Sequence, residues 1–124
     1  MHPFRTAVEA KDFDAALALF ADDATLDSPV AFKPFVGIDQ VSVVLRAVSE
    51  TFEDFRYTDE FENAEGSHVL IFEARVGDKS VQGLDLIRTG DDGQITNLTV
   101  MVRPMSGLQA LAEGMAAKVG HLAK

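Results

Sequence analysis

The apolar residues of this chain change their spacing after Phe52, and that change limits what it can fold into. Up to Phe52 they recur three and four positions apart, as on one face of a helix; from Phe55 to Arg103 they alternate, as on one face of a strand. Phe4, Ala7 and Val8 suit a first helix face. Asp12 is placed to cap a second segment carrying Phe13, Ala16, Leu17 and Phe20, so two short helices or one bent helix open the chain. Asp22-Asp23 breaks the pattern as cap and turn residues, Ala24 to Asp27 suits a short strand, and Ser28-Pro29 begins a loop running to Gly37. Ile38, Val41, Val44, Leu45, Val48 and Phe52 then predict a long amphipathic helix, with Asp39 near its positive end.

Beyond that helix, Phe55, Tyr57, Asp59 and Phe61 are expected on one side of a strand, and Glu65-Gly66-Ser67 turns into a second strand over Val69 to Val76. Gly77-Asp78 has the form of a two-residue hairpin turn leading into a strand over Ser80 to Arg88. That turn sets a register: Val76 opposite Lys79, Ala74 opposite Val81, Phe72 opposite Gly83, Leu70 opposite Asp85 and His68 opposite Ile87. Asp91-Asp92-Gly93 makes the next turn, and Ile95 to Arg103 supplies a last strand with Leu98, Val100 and Val102 on one side. Pro104 to Gly107 ends the sheet, and Leu108, Leu111, Ala112, Met115 and Val119 form one face of a tail helix. Helices first and a meander after them predict an α+β domain spanning residues 1–124. It is a cone-shaped α+β barrel, in which N-terminal helices pack on a strongly curved antiparallel (mixed) sheet, with an extra C-terminal helix and an apolar interior.

In that register Asp85 shares a face with Val81, Gly83 and Ile87, and so is a carboxyl among apolar neighbours. Burial of such a group is costly unless it is paired or neutral, which makes it either a buried acid satisfied locally or a working one. His68 faces the same side two positions further along the neighbouring strand. Leu70, Phe72, Leu98, Val100 and Val102 line the same interior and are the expected ligand contacts. Ser28, Phe32 and Phe35 on the loop, and the hydroxyl of Tyr57, complete that set. Arg103 is a candidate for an anionic ligand group, although arginines at sheet ends more often pair with surface acids.

Composition narrows the function classes. Eleven basic against 20 acidic residues give a net charge of −9, a surface repelled by nucleic acid and by anionic membranes. The absence of cysteine removes thiol catalysis and thiolate metal sites. No histidine lies at ligand spacing from the paired aspartates, so neither a metal nor another cofactor is expected. Met1-His2-Pro3-Phe4-Arg5 lacks the apolar core of a signal peptide and no run is long enough to span a membrane, so a cytoplasmic location is expected.

Phe20-Ala21-Asp22-Asp23-Ala24-Thr25-Leu26-Asp27-Ser28-Pro29 followed by Gly37 and a helix, and later Leu84-Asp85-Leu86-Ile87-Arg88 with Asp92-Gly93-Gln94-Ile95, resemble the nuclear transport factor 2-like superfamily, particularly its SnoaL-like and ketosteroid isomerase-like branch. The resemblance covers all but the tail helix and implies a ligand cavity inside the cone. It places Asp85 where the isomerases keep a protonated, hydrogen-bond-donating aspartic acid. Their first-helix tyrosine falls on Phe4 and their general base on Ser28, one residue after Asp27. A standard ketosteroid isomerase is therefore not expected. The epoxide hydrolase branch would need an arginine between two carboxylates, and Arg75 alternates away from the interior while Val100 occupies the second acid position. A SnoaL-like cyclase would need one acid/base carboxylate, for which Asp85 with His68 is the candidate. The expected function is binding of a small hydrophobic, carbonyl-bearing molecule, with proton transfer at Asp85. The alternative is a non-catalytic dimeric binding or scaffold module of the same fold. A homodimer is expected through the outer sheet face that carries Leu84, Leu86, Thr99 and Met101.

Overall fold

The computed structural model describes residues 1–119. Helices α1 (Pro3–Glu9) and α2 (Phe13–Leu17) are followed by strands β1 (Phe20–Asp27) and β2 (Phe35–Val36) and helix α3 (Ile38–Thr51). Strands β3 (Glu53–Glu62), β4 (His68–Val76), β5 (Lys79–Thr89) and β6 (Ile95–Arg103) and helix α4 (Met105–Val119) complete the chain. The strands form one sheet in the order β2-β1-β6-β5-β4-β3. Its meander half is antiparallel, and β6 closes back on β1 as a parallel pair, which makes the sheet mixed. This is the α+β architecture expected from the change in spacing.

Local signals act as the sequence suggests. Asp12 accepts from the Ala15 N–H at 3.1 Å and caps α2, which makes the opening two helices rather than one. The β4–β5 register is the one set by Gly77-Asp78, with Leu70 opposite Asp85 and His68 opposite Ile87. The inner faces of β4, β5 and β6 bury Leu70, Phe72, Ile87 and Leu98 against Phe4 of α1 and Val41 of α3. No helix among the described residues is long and apolar enough to cross a membrane.

Three expectations need correction. Tyr57 pairs with Phe72 but Asp59 pairs with Ile71, so Thr58 is an extra residue and the alternation of β3 inverts there. Asp59 and Phe61 consequently leave the face that holds Phe55 and Tyr57, and Phe61 lies 57% exposed. Asp22 and Asp23 are neither caps nor turns; they lie exposed within β1, where pairing with β6 is irregular between Phe20 and Thr25. The tail helix starts at Met105 rather than after Gly107. Gly107 is needed there for close packing, since a Cβ would run into Val81 and lie 3.1 Å from the Ser80 carbonyl. Val119 belongs to α4, but its side chain lies outside the described residues.

Gly83 has a similar role inside the sheet. A Cβ at Gly83 would strike the Phe72 ring and lie 2.6 Å from the Met101 carbonyl oxygen. Gly83→Ala should therefore cost about 1–3 kcal/mol of stability through overpacking, read as a lower midpoint in denaturant unfolding. An unchanged midpoint would mean that Phe72 is free to move out of this contact.

Candidate functional site

Asp85 sits at the middle of β5 on the inner face, between Leu70 of β4 and Val100 of β6, and only 6% of it is exposed. Its partner comes from two strands away. Strands β3 and β5 are about 9–10 Å apart, twice the spacing of neighbouring strands, so only a long side chain on β3 spans the gap. Tyr57 does so, and its hydroxyl donates to Asp85 Oδ2 at 2.7 Å. Tyr57 is the last inward-facing residue before the extra residue at Thr58.

Aromatic rings frame this pair. Phe55 stacks on Phe72 with ring centroids 4.8 Å apart, meets Tyr57 edge-on at 4.9 Å, and Phe52 lies 5.4 Å from Phe72. Together with Phe4 and Val8 of α1, Leu45 and Val48 of α3 and Val100 of β6, these rings bound a cavity of about 330 Å³. Small-molecule sites run from roughly 300 to 1,000 Å³, so this one suits a compact ligand. Glu9, Lys11, Phe13, Ser49 and Asp54 complete the wall; Glu9, Lys11 and Asp54 are solvent-exposed and mark its mouth.

Burial pushes the Asp85 carboxyl up from an ordinary value near 3.8 to about 7, and the Tyr57 hydrogen bond opposes that rise without cancelling it. Burial, reinforced by the nearby Asp85 charge, holds the Tyr57 hydroxyl well above its usual value of 10.0. Near neutral pH Tyr57 is thus a neutral donor, and Asp85 is divided between acid and carboxylate. Among the described residues, Tyr57 is the one side chain bonded to Asp85, and no buried side-chain polar atom lacks a partner. The second carboxyl oxygen therefore opens to the cavity.

The other candidates disperse. Tyr57, Phe72 and Val100 are in the cavity wall with Asp85, whereas Leu70 and Leu98 are fully buried core and Val102 packs beside it. His68 faces inward as expected but lies outside the cavity wall. Its Nδ1 is 3.1 Å from the Gly66 carbonyl, its Nε2 is 3.6 Å from Glu62, and its ring meets His2 at 4.6 Å. Ser28, Phe32 and Phe35 belong to the β1–β2 edge, at the far side of the sheet from β3. There Ser28 Oγ accepts from the Val30 N–H, Phe32 is fully solvent-exposed, and Phe35 is core, so none of them guards the mouth. Asp27 is held by Asn97 and Thr99, Arg75 pairs with Glu53 and Asp54, and Arg103 donates to Gln82. Among the described residues no group of three or more histidine, aspartate or glutamate side chains could hold a metal. Sequence reasoning missed the wall positions Val8, Leu45, Val48, Phe52 and Phe55 and the charged mouth; helical spacing marks the first four as apolar-face residues, but no local signal separates wall from core.

The folded protein retains the Asp85 proton to about pH 7, whereas the unfolded chain releases it near 3.8. Folded molecules bind the extra proton between those values, so this group makes stability fall as pH rises across that window. Above it the loss levels off at roughly 4 kcal/mol. Asp85→Asn should abolish this dependence. Unfolding followed from about pH 4 to about pH 8 should show the variant gaining on the wild type as pH rises. Parallel curves would contradict a buried carboxyl.

The family model for the SnoaL-like domain matches residues 2–98. Among solved structures, a steroid delta-isomerase from Pseudomonas aeruginosa is 44% identical, with 94% of this chain and 85% of that one covered and a TM-score of 0.88. An uncharacterized protein with a cystatin-like fold from Silicibacter pomeroyi DSS-3 is 31% identical over 97% of this chain and 87% of that one, also with a TM-score of 0.88. An NTF2-like protein of unknown function from Cytophaga hutchinsonii ATCC 33406, 22% identical with a TM-score of 0.62 over 84% of this chain and 87% of that one, is alike in fold alone. No match was found among curated proteins. The family match over residues 2–98, and 44% identity to a solved structure over 94% of the chain, make this chain a member of the SnoaL-like domain family, with the nuclear transport factor 2-like, ketosteroid isomerase-like fold.

Proposed function

We propose that the cavity binds a small hydrophobic, carbonyl-bearing molecule and that Asp85 and Tyr57 catalyse a proton transfer next to that carbonyl. The observation that carries this reading is the 2.7 Å Tyr57–Asp85 hydrogen bond in a wall of phenylalanines. A general base works best when its pKa lies near the operating pH, and Asp85 at about 7 meets that condition. The other wall carboxylates are less suited. Glu9 lies 3.4 Å from Arg5 and Asp54 lies 3.0 Å from Arg75, both at the solvent-exposed mouth.

The pair suggests how a proton would move. In its ionised form Asp85 accepts from Tyr57 and takes a proton from the carbon beside the carbonyl. Once protonated, Asp85 donates back to the Tyr57 oxygen, which frees the tyrosine proton to stabilise the enolate oxygen. Returning the Asp85 proton to a different carbon completes an isomerisation. Tyr57 thus takes the donor role for which Phe4 has no group, and Asp85 serves as base in place of Ser28. The likeness to the Pseudomonas aeruginosa steroid delta-isomerase supports a double-bond isomerisation as the reaction to test first.

Turnover of a β,γ-unsaturated ketone, followed by the absorbance of its conjugated product, tests this. Asp85→Asn should abolish turnover, and Tyr57→Phe should lower it about 100-fold, as removal of an oxyanion donor does. Tyr57→Phe should also move the Asp85 titration upward, read by carbon NMR of the carboxyl, because it removes the bond that favours the charged form. Ketone binding without turnover in the wild type would favour the carrier reading. Equal turnover in all three proteins would exclude catalysis by this pair.

The outer sheet face, with Leu84, Leu86 and Thr99 half-buried and Met101 52% exposed, is proposed as the homodimer surface. Sedimentation equilibrium at micromolar concentration should give twice the monomer mass, and Leu84→Arg should halve it. A wild-type monomer would exclude the dimer.

A further inference from the structure

The polar groups in the cavity wall are few, and nearly all are hydrogen-bonded within the protein. Tyr57 and Asp85 bond each other at 2.7 Å, and Ser49 Oγ donates to the Arg46 carbonyl at 2.7 Å. Glu9 Oε2 is 3.4 Å from Arg5 Nε, and Asp54 Oδ2 accepts from Arg75 Nε at 3.1 Å and Nη2 at 3.0 Å. Lys11 is different. It is the one basic residue in the wall, and among the described residues its ammonium has neither a hydrogen bond nor an ion pair.

The backbone gives a second, independent reason to single it out. Lys11 has a φ of 57°, in the left-handed region where a residue with a Cβ is uncommon. Its N–H donates to the Val8 carbonyl at 2.9 Å, and the Asp12 N–H donates to the Ala7 carbonyl at 2.9 Å, so Lys11 terminates α1 at a position where glycine is the ordinary choice. A glycine would end the helix without strain. The lysine brings an unpaired basic residue to a mouth whose two carboxylates, Glu9 and Asp54, are each engaged by an arginine, on a chain whose net charge is −9.

We infer that the ligand carries a carboxylate as well as a carbonyl, its apolar body filling the cavity and its carboxylate meeting Lys11 at the mouth. This rests on the proposed placement of the ligand carbonyl beside Tyr57 and Asp85 and adds the substrate class, an apolar oxo acid.

The test is calorimetric titration of the full chain with benzoylalkanoic acids of increasing chain length and with their methyl esters, at low and high salt. The best-fitting acid should bind about fivefold more tightly than its ester at low salt, and salt should shrink the difference. Lys11→Gly, which fits the left-handed backbone, should melt no lower than wild type and bring the acid-to-ester ratio to about one. Lys11→Arg should keep the preference. Equal binding of acids and esters by the wild type, a preference that survives in Lys11→Gly, or no binding by any acid would each overturn the inference. Tyr57→Phe separates it from the reading beneath it. Weaker ester binding in Tyr57→Phe supports carbonyl recognition whatever the acid-to-ester ratio, and unchanged ester binding locates the failure at the Tyr57–Asp85 pair rather than at Lys11.

Discussion

One extra residue in β3 governs how the helices and the sheet meet. Up to Thr58 the strand turns Tyr57 inward, where its hydroxyl reaches Asp85. Beyond Thr58 the alternation inverts, Glu60 comes to lie opposite Leu70, and it accepts the His2 N–H at 2.9 Å and Arg5 Nη1 at 3.4 Å. Those contacts fasten α1 over the sheet, and α1 supplies the Phe4 and Val8 wall of the cavity. A strand without the bulge would present either the tyrosine or the glutamate to the interior in the required places, but not both.

The second constraint is the cost of a carboxyl in an apolar wall. Full ionisation of Asp85 works against burial, and one hydrogen bond from Tyr57 offsets part of the penalty, which leaves the group titrating at about 7. A hydrophobic residue at this position would fold at least as well. The surrounding rings add to that penalty, since Phe52, Phe55 and Phe72 pack together beside the carboxyl and keep the local dielectric low.

The family resemblance and the structure diverge at the donor. In the pattern that the sequence resembles, a donor tyrosine stands in the first helix; here Phe4 occupies that place and is fully packed, and a hydroxyl arrives from β3 instead. Ser28 lies in a turn at the opposite edge of the sheet, with its oxygen engaged by the Val30 N–H. The same fold thus holds an acid and a hydroxyl together by a different route, in keeping with the general separation of fold from site.

Much of the architecture was legible in the chain itself. The shift from helical to alternating spacing at Phe52, the Asp12 cap and the Gly77-Asp78 turn are local signals, and they determined the element order, the β4–β5 register and the apolar setting of Asp85. The same register gives His68 its inward face, yet it packs against His2 and Glu62, because register fixes a face and not a position along the cavity. Phe32 and Phe35 are expected at the ligand only because they lie on a loop, and the strand order carries that loop to the far edge. The partner of Asp85, the cavity wall and the charged mouth were decided by the tertiary structure alone. They depend on a one-residue bulge and on contacts between residues far apart in the chain, neither of which leaves a periodic trace in the sequence.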